Sequence, residues 1–524
     1  MIQFNVMKKI LFTLLLITTL APYAQSQDEV TFRTEAAAHA ATGTFAPYYM
    51  TTNKYGTVAN GCGGYLRAGA FIEMDTTKRF SYAAGIDLMG IYETTSPTRR
   101  WENGGFTTIN NRPQIFRIQQ LYTDIKYRAV FLSVGMRENA HENIFTNHRL
   151  SSGNLILSGN TRPIPQVRAG FHRFVDIPFT NGWVQLKGEL AYGKFLGDEY
   201  LRDHYSYYSS FITTNIYYHY KSLYFRSNPK QPFVFTFGIE DGVQFGGDMD
   251  TYRDGVLVSS TQSPITFKSF LQAFVPSAGD ETAAPGDQLF VYGNHIGSIN
   301  MAAEYTFEDR SQIRAYTQWL YEDGSGLNKL NGFDGLWGLA YHTHRRSAVS
   351  DVVVEYIGLD NQSGAIPWQP TDWPGTQITT ATSGGDDYYN NFLFNGWQQG
   401  GFGIGTPMSP SIMYNTDGYM RYLNTRVRGY HVAIQGYFLN DWQYRFMTSY
   451  RQAWGTPFIP ARYDLCQFAS LLECTYTPAK LDGWQFCAAL AVDAGNLIGD
   501  NWGISISVVK SGSLFKFNKK SDKK

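Results

Sequence analysis

Within "MRENAHEN", residues 136–143, Glu138, His141 and Glu142 lie close together along the chain, the kind of grouping that does acid–base work or holds a metal. Their order is not the H-E-x-x-H zinc pattern, in which two histidines one turn apart share a helix face, and it matches no hydrolase motif. Asx-rich runs at residues 248–250 and 493–496 can hold Ca²⁺, and turn chemistry accounts for them equally well. Of the four cysteines, Cys62, Cys466, Cys474 and Cys487, none has zinc-site spacing. Cys474 and Cys487 fall on opposite faces of alternating segments, so no bridge between them is expected. These residues give no catalytic set, no metal site and no cofactor, and the chain does not read as an enzyme.

A second kind of chemistry is better represented. In the stretch 359–426, Trp368, Trp373, Tyr388 and Trp397 stand beside Asp386 and Asp387. Rings of this kind cover the apolar faces of sugars while carboxylates and amides take the hydroxyls. The same residues serve equally to pack a long loop onto itself. A third group lies in "SSGNLILSGNTRPIPQVRAGF", residues 151–171, which carries Asn160, Arg162 and Arg168. Pro163 and Pro165 fix φ and remove two backbone donors, so this segment is extended yet cannot pair as a central strand. It suits a wall or plug inside a larger structure. Its Asn and Arg either fix the occluding segment and contact a glycan, or satisfy buried carboxylates and carbonyls.

The elements that position these groups are strands. In "WVQLKGELAYGKF", Val184, Leu186, Leu190 and Tyr192 share one face and Gln185, Lys187 and Glu189 the other. In "WQYRFMTSYRQ", Trp442, Tyr444, Phe446, Thr448 and Tyr450 alternate with Gln443, Arg445, Met447, Ser449 and Arg451. About eighteen such segments, each near the ten residues that cross a bilayer as a tilted strand, run from Val30 to Lys510. Many are joined by short turns such as 127–129 and 439–441. A sheet in lipid must close, because an open edge leaves backbone donors and acceptors unpaired. The expected fold is all-β: a closed antiparallel transmembrane β-barrel of about 18 strands with long extracellular loops. In "SPITFKSFLQAFVP", Phe267, Phe270, Leu271 and Phe274 recur at helical spacing, so a short inserted helix is expected to cap or plug an opening, or to rest on the rim.

Composition agrees. Charged residues make up only 17% and aromatic residues 16%, with 36 Tyr, 36 Phe and 11 Trp, the balance of a barrel with aromatic girdles. A soluble, secreted aromatic-rich β-protein is the alternative class. Lys+Arg and Asp+Glu are both 44, so there is no basic footprint for nucleic acid. Mean hydropathy is -0.29, and no later apolar run is long enough for a membrane helix. Residues 7–20, "MKKILFTLLLITTL", have the layout of a secretory signal peptide. The domain plan is a signal peptide over 1–26, a barrel over 27–513 and a basic tail over 514–524.

The "SSGNLILSGNTRPIPQVRAGF" segment, preceded by "VGMRE", resembles the Wzi-type capsule assembly proteins, whose members carry a similar serine-rich start and an Asn-(Ala/Thr)-Arg-Pro-x-Pro core. "FAPYYMTTNKYGTV", "SFLQAFV" and "LAVDAGNLIGDNWGISISVVKSG" resemble the version found in Bacteroidetes-type bacteria. The resemblance covers Val30 to Ser513. It implies an occluded outer-membrane barrel that binds and anchors capsular or other surface polysaccharide; separately, a monomer inserted by the barrel assembly machinery into outer-membrane lipid is expected. The periplasmic helical bundle of some members is expected to be missing. The rival function is a porin or sugar-selective channel.

Overall fold

The computed structural model describes residues 29–142, 144–208, 210–277, 292–322, 324–327, 329, 331–365 and 383–516. The expected signal peptide lies outside the described residues, as do Trp368 and Trp373. Eighteen wall strands form one sheet: β1 Glu29–Ala41, β2 Gly63–Ile72, β3 Phe80–Glu93, β4 Phe116–Tyr127, β5 Val130–Met136, β6 Gln166–Phe171, β7 Val184–Lys194, β8 Tyr217–Ser227, β9 Phe233–Phe245, β10 Asn294–Thr306, β11 Gln312–Tyr321, β12 Gly335–His342, β13 Asp351–Gly358, β14 Val427–Leu439, β15 Trp442–Gly455, β16 Pro460–Tyr476, β17 Trp484–Gly495 and β18 Asn501–Lys516, with the two-residue Val175–Asp176 extending β6 along β7. Each pairs antiparallel with its neighbour in sequence, and β18 closes on β1 with Ala36 opposite Val508. An even strand number brings first and last strands together antiparallel, which removes both edges. β18 runs through Lys516, so residues 514–516 belong to the wall rather than to the tail, with Phe515 opposite Val30. Among the described residues no helix is long and apolar enough to cross a membrane.

Alternation sets what each strand shows to lipid and lumen. On β9, Phe233, Phe235, Phe237 and Ile239 are exposed on the outer face, while Thr236 and Glu240 are buried on the inner one. On β15 the outward set starts at Trp442 and ends at Trp454. Twelve residues at about 3.3 Å each, tilted by about 40°, rise roughly 30 Å, the thickness of a bilayer's hydrocarbon core. Aromatic pairs mark both ends of this band. Trp442 stacks on Tyr476 at 4.7 Å at the short-turn end, and Tyr356 meets Tyr430 at 5.3 Å at the other. The short connections, such as 128–129, 228–232 and 440–441, lie at one end with both termini, which makes that end periplasmic. The described residues of the long connections 42–62, 94–115, 137–165, 195–216, 246–293 and 359–426 are extracellular.

Among the described residues the two longest helices belong to the extracellular connections: α1 Asp198–Tyr205 and α2 Phe267–Phe274. The structure corrects the expected place of α2. Gly242 on β9 faces the lumen, since a Cβ there would lie 2.8 Å from the Trp397 ring. Asp241 and Val243 therefore face outward, and α2 packs on that outer side, where Phe270 and Ala273 meet Val243 and Phe245. It neither caps nor plugs an opening. Its buried side, Ser269, Gln272 and Ala273, faces the outer wall, where Lys221 and Tyr192 donate to its carbonyls.

Candidate functional site: a plugged lumen and an extracellular aromatic face

Three long connections turn back into the barrel. Residues 137–165 are the most deeply placed, and their lack of ladder partners creates a problem that the wall solves. Buried backbone groups must be paired, and inward side chains of distant strands do this. Glu355 on β13 accepts from the Ser151 hydroxyl and the Ser152 amide, both at 2.7 Å, and from the Tyr316 hydroxyl of β11 at 2.6 Å. The Leu155 amide donates to Gln318 at 3.0 Å. Arg445 donates to the Arg149 carbonyl at 2.8 Å, and His431 Nε2 lies 2.6 Å from the Leu150 carbonyl. The loop 42–62 joins from the other side, where the Tyr48 amide donates to Asp493 and the Tyr49 hydroxyl lies 2.7 Å from His431 Nδ1.

The lumen is thus not uniformly polar, as strand alternation suggests. Leu150, Leu155 and Ile156 of the plug form one apolar cluster with Leu336, Ile357 and Ala433 of the wall. It fills the extracellular half. The periplasmic half carries ion pairs, Arg137–Asp124 at 2.6 Å and Arg67–Asp87 at 2.5 Å among them, and opens as a polar vestibule. The "MRENAHEN" residues are spent on this wall. His141 Nδ1 is 2.5 Å from Glu189, Glu138 accepts from Arg67 and Gln119, and Glu142 pairs with Lys187.

The residues singled out in the sequence divide into three places. Asn160, buried, donates to the Gly403 carbonyl at 3.0 Å, and Arg162 donates to the Ile118 carbonyl at 2.9 Å while its own carbonyl accepts from Gln399. Trp397 joins them at this seam between plug and loop, its Nε1 donating to Ile156 at 2.8 Å. Asp386, Asp387 and Tyr388 sit together elsewhere in the loop. The Asp386 amide donates to Gln362, Asp387 accepts from Thr425 at 2.9 Å, and the Tyr388 hydroxyl donates to Asp334 at 3.0 Å. Burial pushes the Asp387 carboxyl above the usual range, against the pull of Asn390, Thr425 and Arg421. Arg168 is apart from both groups, on the periplasmic side, donating to the Ala140 carbonyl and to Glu189. Tyr388 and Trp397 are each 0% exposed. They turn no ring face outward and pack the loop onto the barrel, the second of the two roles open from sequence.

The outward chemistry is carried by residues that sequence reading missed. Ser96–Glu102 and Gly105–Asn111 form a hairpin in the connection 94–115. Its turn residues Asn103 and Gly104 both have positive φ, 52° and 80°, which only Gly and Asn accept readily and which a two-residue type I′ turn needs. "Asn-Gly" between alternating residues is the signal that points to it. Trp101 and Phe106 pack edge to face at 5.0 Å and are 42% and 52% exposed. The Arg99 guanidinium covers the Phe106 ring at 4.1 Å, and that of Arg100 covers Tyr207 at 3.8 Å. The hairpin is tied to the 359–426 connection by the Arg99 amide, which donates to the Thr416 carbonyl at 2.9 Å, and Tyr208 of the 195–216 connection donates to the neighbouring Asp417 carbonyl at 2.9 Å. Exposed ring faces beside held guanidinium groups can stack on pyranose rings and pair with carboxylate or phosphate.

The architecture defines a class: an eighteen-stranded outer-membrane β-barrel whose extracellular half is filled by its own loops. No protein-family model and no curated protein sequence matches the chain. Among solved structures it is similar to Wzi of Escherichia coli, described as an outer-membrane protein involved in group 1 capsule assembly and a carbohydrate-binding β-barrel. The TM-score is 0.52 at 12% identity, over 97% of this chain and 88% of that one. OccAB2 of Acinetobacter baumannii gives 0.45 at 8% identity, over 93% and 98% of the two chains, and OprD of Pseudomonas aeruginosa 0.41 at 9%, over 93% and 95%. At 12% identity the property shared with Wzi is the fold. The Wzi-like barrel expected from the Arg-Pro-x-Pro segment holds at that level.

Proposed function

We propose that this protein is a non-catalytic, lectin-like barrel that holds capsular or other surface polysaccharide at the cell surface, as a monomer in the outer membrane. The observation that carries this reading is the filled lumen. Its plug is fixed by buried hydrogen bonds to at least four wall strands, an arrangement that a conducting pore does not need and that a rigid binding platform does. The carbohydrate binding described for Wzi supports it. Arg99, Arg100 and Trp101 make the contact, joined by Trp368, Trp373 and Asp386 of the long loop. Asn160, Arg162, Asp387, Tyr388 and Trp397 position the surface from beneath, and Arg168, on the periplasmic side, holds the plug rather than the surface. Weak binding at each site suffices, because a polymer offers many repeats and rebinding multiplies retention.

The test is the ratio of cell-bound to released polysaccharide, with total polymer measured, in a strain lacking the gene and in one expressing R99A/R100A/W101A. Unchanged total polymer with a collapsed bound share in both strains is the expected result. An unchanged ratio in the deletion strain overturns the tether reading and leaves the channel, for which conductance of the purified barrel is the measure.

A further inference from the structure

On the outer wall near the extracellular strand ends, where lipid-facing side chains should be apolar, β7 to β10 present Tyr192, His219, Lys221, Asp241 and His295. Their outward direction follows from alternation: Tyr218, Tyr220, Gly242 and Ile296, one residue away, belong to the lumen side. They form a closed set. Lys221 lies 2.7 Å from Asp241, His295 Nδ1 lies 2.9 Å from the same carboxylate oxygen, and His219 stacks on Tyr192 at 4.3 Å.

α2 lies directly over this set. Lys221 Nζ donates to the Ala273 carbonyl at 3.1 Å and the Tyr192 hydroxyl to the Phe270 carbonyl at 2.9 Å. The Ala273 carbonyl is in the last turn, where carbonyls lack helical partners and a cation is favoured, and the Phe270 carbonyl lies just before that turn. A capping box at Thr266 and Ser269 fixes the other end. Under the helix Asp241 is 3% and His219 0% exposed. The side of α2 turned away from the wall carries Phe267 and Leu271, followed by Val275, all exposed, while Phe274 at its edge is partly exposed and also meets the His219 ring at 6.0 Å. That spacing is one continuous helix face. It continues the exposed apolar wall of Leu190, Leu223 and Ile239.

We infer that α2 is a membrane-seated helix: it lies against the barrel in the outer leaflet, its Phe267–Leu271–Phe274 face contacts lipid acyl chains, and it shields a polar cluster on the wall from them. Lipid is the occupant because the face is continuous with the lipid-facing wall, and because a helix lifted away would leave an ion pair bare to hydrocarbon, which disfavours charge. The segment 264–277 is thereby moored to the membrane as well as to the barrel.

Photo-crosslinking in intact outer membranes tests this. p-Benzoylphenylalanine replaces Phe267 in one full-length variant and Leu271 in a second, with Phe237 on the wall and Phe392 on the extracellular loops as references. Lipid adducts at 267 or 271, detected by mass, are expected at yields within about twofold of those at 237, with none at 392. Either of two results overturns the inference: no lipid adduct at both helix positions while 237 is labelled, or an adduct to a second copy of the chain.

Discussion

The Glu355 clamp is the point at which the plug is most open to a single change. Its two oxygens accept three hydrogen bonds, Ser151 and Tyr316 on one and the Ser152 amide on the other. Glu355→Gln keeps the shape, removes the charge and turns an N–H toward the Ser152 N–H. Bonds to a charged acceptor are worth about 1.5–3 kcal/mol and neutral ones about 0.5–1.5, and an orphaned buried donor costs about 1–3. Weakening two bonds and losing the third amounts to about 3 kcal/mol, close to a hundredfold at about 1.4 kcal/mol per factor of ten. The wall keeps its own ladder, so the change acts on the plug rather than on the barrel. Purified barrels in planar bilayers are the assay. The native protein should show rare, brief conductance events, and E355Q about a hundredfold longer total open time, with unchanged heat-modifiability on gels as the check on folding. Continuous conductance in the native protein, or unchanged open time in a folded E355Q, would refute the reasoning.

Trp397→Ala removes the ring that fills the seam between plug and loop; a cost of about 3–5 kcal/mol should free residues 386–426 for cleavage by protease added to intact cells, with the barrel itself uncleaved. In the outer-wall cluster, Asp241→Asn leaves Lys221 and His295 without their carboxylate and should lower barrel stability in urea by about 3 kcal/mol, whereas the double change Asp241→Leu with Lys221→Met should restore it to near the native value. His204 on α1 gives a pH dependence: burial, reinforced by Arg100 and opposed by its bond to the Tyr200 carbonyl, holds its imidazole down at about 4. A folded value below the ordinary 6.5 means that the packed state accepts only the neutral ring, so stability is intact above about pH 6.5 and is lost as pH falls toward 4. About 1.4 kcal/mol should be gone by pH 5.5, read as faster amide exchange in α1 after correction for intrinsic rates and abolished by His204→Leu.

By itself the sequence determined the wall. A period of two is a local property of each segment, so the outward Trp442, Tyr444, Phe446 and inward Arg445, Met447 could be assigned without knowing their neighbours, and closure followed from the chemistry of lipid. The two prolines at 163 and 165 likewise mark a segment that cannot join the ladder, and that segment is part of the plug. Tertiary structure alone decided where the loops went. Trp397 is buried because of Ile156, 241 residues away, and nothing near Trp397 in the chain distinguishes a ring packed on a plug from a ring offered to a sugar. The same holds for α2, whose helical spacing was legible while its partner was not. Lys221 and Asp241 lie on the lipid side beneath α2, a placement only pairing decides, because a polar residue in a strand signals burial from lipid without saying whether the lumen or a covering helix provides it.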